Sequence, residues 1–157
     1  MNKNNESDRI LESIVLENGL QVTFYDFSKK VAADRWLVKV ECEAVYKVND
    51  DFFSVIDDAE MASAMKRDCA ESIRHLLSRE RNFVEENDLE AVRQDLFDHL
   101  YENARRYMSG ELFVQKLFEK KVEEFRSKYL VQKELERMTH DEDDDEGPAD
   151  FSACFRD

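Results

Sequence analysis

The sequence predicts an α+β fold: a three-stranded antiparallel meander followed by three packed helices. Three observations carry this expectation. Asn18-Gly19 separates two apolar runs, residues 35–48 alternate with a period of two, and apolar residues beyond residue 57 recur at spacings of three and four. Together they place the strands first and the helices after them in one domain, residues 1–139, of ordinary size.

The first two strands are residues 10–17, ILESIVLE, and 20–27, LQVTFYDF. The Asn-Gly pair between them predicts a type I′ turn, which needs positive φ at both central positions. The third strand is residues 35–48. Its even positions are Trp36, Val38, Val40, Cys42, Ala44, Tyr46 and Val48, while Lys39, Glu41, Glu43 and Lys47 stand at odd ones. A helix would scatter these residues around its circumference, so the pattern means one covered and one mostly wet sheet face.

Helices are expected over 57–81, 88–108 and 110–137. Asp57 and Asp58, with Glu60 behind them, offer a carboxylate cap to the first. Met61, Met65, Cys69, Ile73 and Leu76 supply its stripe. Leu89, Val92, Leu96, Leu100, Ala104 and Tyr107 supply the second, and Ser109-Gly110 separates it from Val114, Phe118, Val122, Phe125 and Tyr129 in the third. Residues 140–157 contain six consecutive acids and are expected to form a disordered acidic tail.

Net charge is −14, and half of it lies in those last 18 residues. An acidic body repels phosphate backbones, so neither nucleic acid nor an anionic membrane is expected as a partner, whereas a basic protein suits it. No apolar run approaches a membrane span, and residues 1–9 lack a signal core. Cys42, Cys69 and Cys154 are odd in number and far apart, as free thiols in a reducing cytoplasm would be.

Chemical motifs fail one by one. The three glycines never cluster, which removes phosphate-cradling loops and dinucleotide fingerprints. The acid run fits no EF-hand register, because glycine at position 6 and glutamate at position 12 never coincide. Glu71 with His75, and Asp95 with His99, are four apart and could share a helical face, but no HExxH or ExxH motif is present. Cys42 and Cys69 fall on apolar stripes as small core residues, and acids around Cys154 oppose a thiolate. No cofactor, metal or catalytic residue is expected.

Two charged segments stand apart. Residues 26–36, DFSKKVAADRW, join the second and third strands without glycine or proline, and Ser78-Arg79-Glu80-Arg81-Asn82-Phe83 ends the first expected helix. Their combination, ENGLQVTFYDFSKKVAADRWLV with RERNF downstream, resembles an uncharacterised family of small bacterial proteins over residues 11–125. The resemblance implies an α+β fold and a cytoplasmic bacterial setting, and it supplies no activity.

Two functional expectations follow. The first is a non-enzymatic protein-interaction module, with Phe151 and Phe155 in the acidic tail as partner-binding candidates. The second is a small-anion or small-ligand site between the 26–36 loop and the 79–82 segment, built from Asp34, Arg35, Arg79 and Arg81. Arginine offers a planar fork for carboxylates and other anions. The commoner arrangement is structural: Asp34 and Arg35 clamp the loop while Arg79 and Arg81 pair with local acids.

Overall fold

A computed structural model describes residues 9–144. The elements are β1 (Ile10–Val15), β2 (Gln21–Asp26), β3 (Lys29–Ala32), β4 (Arg35–Lys47), α1 (Asp50–Phe53), α2 (Ala59–Cys69), β5 (Ser72–Glu85), α3 (Leu89–Asn103) and α4 (Phe113–Asp144). The fold is α+β. A 3₁₀ turn, Glu86–Asp88, leads into α3, and a π turn, Ala104–Met108, closes it. Residue contacts divide the chain into two compact units, Met1–Lys121 and Val122–Asp157.

In the first unit the sheet is antiparallel throughout. β2 pairs with residues 40–45 of β4, β3 with residues 35–37, and β5 with residues 35–47. A strand has two edges, so β2 and β3 share one edge of β4 and β5 takes the other. β1 lies outside β2. The β2–β3 junction is a kink held by side chains. Asp26 Oδ1 accepts the Ser28 N–H at 2.9 Å, and Ser28 Oγ accepts the Lys39 N–H at 3.1 Å.

The even positions of β4 meet the core as the alternation requires. Val38, Val40, Cys42 and Ala44 are fully buried, alongside Val22 and Phe24 of β2. α3 packs across β4 and β5 on this face. Phe24 stands 5.1 Å from the Phe97 ring and 5.7 Å from that of Tyr101. Burying one such ring stabilises the fold by about 1.5–3 kcal/mol.

Several expectations need correction. The stretch between the second and third strands is not a loop. Lys29–Ala32 is a strand, and only Ala33-Asp34 turns. The Asn18-Gly19 turn is not type I′. Only Gly19 has positive φ, at 85°, and the Gly19 N–H donates to the Leu16 carbonyl at 2.9 Å. This is a type I turn followed by a left-handed glycine.

The helix expected over 57–81 ends at Cys69, and residues 72–85 form β5. Ala70 (φ 47°) and Glu71 (φ 70°) are both left-handed and break the helix. Ile73 and Leu76 continue a helical spacing, but Ile73, His75 and Leu77 also alternate, and pairing with β4 selects the strand. The cap itself is Asp58, whose carboxylate accepts from Glu60 and Met61 N–H at 3.0 and 3.1 Å. The helical run expected over 88–108 is present as α3 with its π turn.

α4 runs to Asp144, so residues 140–144 of the expected tail are helical. Phe151 and Phe155 lie outside the described residues. Within the second unit, half-buried Phe125 and Tyr129 carry the expected apolar spacing, with local ion pairs beside and beyond them. Arg126 bonds Glu123 at 2.6 Å, Arg137 bonds Glu134 at 2.7 Å, and Phe125 stacks on Tyr129 at 5.9 Å. Among the described residues, no helix is long and apolar enough to cross a membrane.

Candidate functional site

The charged segments singled out from the sequence do become neighbours. Residues 35–40 of β4 lie beside residues 79–85 of β5, with Val40 opposite Arg79, Val38 opposite Arg81 and Arg35 opposite Glu85. Paired residues share a sheet face. Arg79 and Arg81 therefore project to the face covered by α3, because they pair with buried Val40 and Val38. Arg35 projects to the opposite, open face.

Local acids take up most of this charge. Arg35 bonds Glu85 at 2.8 Å and lies 3.8 Å from Asp34, which sits exposed at the hairpin tip. Arg81 bonds Asp95 of α3 at 3.2 Å. The four side chains do not converge, and the sheet stands between Arg35 and the other two arginines. Arg93 of α3 adds an ion pair with Asp26 at 2.9 Å. Burial raises the Asp26 pKa, but hydrogen bonds from Ser28 and the Arg93 guanidinium outweigh it, so Asp26 titrates below its ordinary value.

Reactive side chains are held quiet. Burial pushes the Cys42 thiol up to about 12. Burial and neighbouring Asp68 raise Cys69, partly offset by Lys121. Burial, with Lys120 and Lys121 nearby, lowers His75, whose ring packs 5.8 Å from Phe113. That histidine is neutral at pH 7. Glu71 lies in the left-handed corner and His75 in β5, so this pair shares no helical face. The Asp95 and His99 pair does lie on α3, where His99 Nδ1 is 2.8 Å from the Asp95 carbonyl oxygen.

The opposite end of β4 builds a pocket of about 450 Å³. Its walls are Tyr46 at the end of β4, Phe52 and Val55 from the α1 region, and Val114 and Phe118 from the first turns of α4. The rings interlock edge to face. Tyr46 and Phe52 centroids are 5.9 Å apart, Phe52 and Phe118 5.2 Å. Asn18 fixes one end. Its Nδ2 donates to the Met108 and Gly110 carbonyls at 2.7 and 3.1 Å, while its Oδ1 accepts the Leu20 N–H at 3.2 Å. The β1–β2 turn is thereby tied to the segment that starts α4.

Three carboxylates rim this pocket: Asp51, Glu111 and Glu119. Glu119 accepts from Gln115 Nε2 at 3.2 Å. None of the three forms an ion pair with a described Lys or Arg. An aromatic cavity with uncompensated negative charge at its mouth can hold an apolar stem carrying a cationic head.

Sequence reasoning missed this site. Tyr46 and Phe118 read as core positions, and Asp50-Asp51-Phe52-Phe53 fell between two assigned elements. The pair of acids followed at once by a pair of phenylalanines in that gap was the available signal. No family model, curated protein or solved structure matches this chain.

Proposed function

We propose that this protein is a non-catalytic interaction module that holds a cationic side chain of a basic partner in the Tyr46–Phe52–Phe118 pocket. The observation carrying this reading is the coincidence of three aromatic walls with three carboxylates that form no ion pair with a described Lys or Arg. A lysine or arginine side chain matches both parts. Its methylenes cover the rings, and its head remains among the carboxylates at the rim. Each cation–ring contact contributes about 0.5–2 kcal/mol, so one inserted side chain gives weak binding and flanking basic residues add to it. The raised Cys42 and Cys69 thiols suit binding over nucleophilic catalysis, and free Cys42 and Cys69 suit a reducing bacterial cytoplasm.

Titration with oligolysine and oligoarginine peptides, followed by amide and aromatic NMR shifts, tests the reading. Saturable shifts centred on Tyr46, Phe52 and Phe118 are expected, weakening with salt and falling severalfold in Asp51→Asn combined with Glu111→Gln, which leaves the 3% exposed Phe118 ring and the core intact. An oligoglutamate peptide should produce none. Shifts spread evenly over the acidic surface, unaffected by the Asp51→Asn and Glu111→Gln pair, would overturn the pocket as the site.

A further inference from the structure

The unused edge of β5 carries a second, independent feature. The orientation of its backbone follows from Lys39. Both the N–H and the carbonyl of Lys39 point toward the β2–β3 edge, bonding Ser28 Oγ at 3.1 Å and the Phe27 N–H at 2.8 Å. Odd residues of β4 therefore face β2 and β3, and even residues face β5. Their β5 partners Ile73, His75, Leu77, Arg79 and Arg81 turn their backbone groups inward. Ser72, Arg74, Leu76, Ser78 and Glu80 then turn theirs outward.

No other described element supplies a backbone partner to this outward row. The register against β4 is unbroken from Ser72 to Arg81, and the bulge at Asn82-Phe83 begins only beyond it. Phe83 sits at the bulge with φ 56° and ends the flat stretch. The row is thus long and regular, and Leu76 on it is 56% exposed. Such an edge is a template for another strand.

We infer that this edge pairs antiparallel with the same edge of a second copy of the chain, centred on Leu77. Registers related by two-fold symmetry and joining outward rows can be compared directly. Centring on Leu77 sets Arg74 opposite the second copy's Glu80, and Glu80 opposite its Arg74, on the open sheet face. It also sets Leu76 opposite Ser78 and brings the two Leu77 side chains together. Centring on Leu76 loses both charge pairs, and centring on Ser78 places Glu80 opposite Leu76. Centring on Arg79 opposes two arginines on the α3 face. Within one chain Arg74 bonds Glu43 at 3.2 Å yet stays 63% exposed, so the second copy's Glu80 adds a second carboxylate to a guanidinium that can hold both. Charge complementarity therefore favours both the occupant and the register, and the contact is isologous. A contact made by one strand edge is a small interface, so the dimer is expected to be reversible.

Sedimentation velocity over a wide concentration range tests the inference on the full chain. The wild type should move from monomer to dimer as concentration rises. Ser78→Pro deletes an outward donor that β4 does not use, so it should weaken association at least tenfold while circular dichroism stays unchanged. Glu80→Arg should weaken it likewise, and adding Arg74→Glu should restore it. Glu80→Arg alone keeps the test decisive if the proline variant fails to fold. A wild type that remains monomeric at all concentrations overturns the inference, as does a dimer indifferent to both Ser78→Pro and Glu80→Arg.

Discussion

At the Arg35 end of β4 cations sit against acids, whereas at the Tyr46 end three carboxylates rim an aromatic pocket and form no ion pair with a described Lys or Arg. Arg35 meets Glu85, Arg81 meets Asp95, Arg93 meets Asp26 and Lys30 meets Glu86. The first end is a charge network that braces a hairpin tip and the start of α3. The second carries uncompensated negative charge around rings. A dense run of charges in sequence therefore says little about binding until its pairing is known. Function is better sought where charge is left over than where it is abundant.

The sharpest test of this contrast is to remove charge at each end. Arg93→Ala should destabilise the protein by about 1–3 kcal/mol, because the Asp26 carboxylate, 19% exposed, loses a charged partner. Urea unfolding measures it. The same pair predicts a pH dependence with a definite sign. Asp26 has a depressed folded-state pKa, so its stabilisation is fully present above the unfolded value of about 3.9 and is lost as pH falls through the folded value. Asp26→Asn should lower stability at pH 7 and flatten the acid limb below about pH 4. An unchanged limb would mean that Asp26 is not held ionised by Ser28 and Arg93.

The pocket end should respond in the opposite sense. Asp51→Asn combined with Glu111→Gln removes negative charges that have no described cationic partner. Stability should change by less than about 0.5 kcal/mol, or rise slightly as self-repulsion eases. Affinity for oligolysine should fall severalfold. A loss of stability as large as that of Arg93→Ala would make these acids structural and erase the contrast between the two ends.

What could be read from the sequence was local, and what could not was set by pairing. The β4 alternation was legible because every even residue from Val38 to Ala44 meets one face, and the Asp58 cap because capping is a matter of adjacent residues. β5 was hidden because Ile73 and Leu76 satisfy a helical spacing as well as a strand, and the break ahead of them uses Ala70 and Glu71 at positive φ instead of glycine. The pocket was hidden for a different reason. Tyr46, Phe52 and Phe118 lie far apart in sequence, and each alone looks like ordinary core. The arginines at 79 and 81 were visible as a cluster, but the sheet face they share is set by their register against β4, and the bulge at Asn82-Phe83 that turns Glu85 toward Arg35 on the other face was announced by no residue type.

The smallest effect belongs to Arg79. It is exposed, lies opposite Val40 and has no ion-pair partner among the described residues. Arg79→Ala should therefore change stability by no more than about 0.5 kcal/mol. Anion titration adds the discriminating arm. Sulfate stabilises folded proteins generally by exclusion from their surfaces, so wild type and Arg79→Ala should gain melting temperature in parallel. Specific capture of an anion by Arg79 and Arg81 would instead give the wild type an extra, saturable gain that the variant lacks. Measured at low protein concentration, where the monomer dominates, parallel curves are expected because Arg81 is already committed to Asp95 and Arg35 lies across the sheet. A saturable difference between the curves would return the anion site to the Arg35 end and reverse the assignment of the two ends.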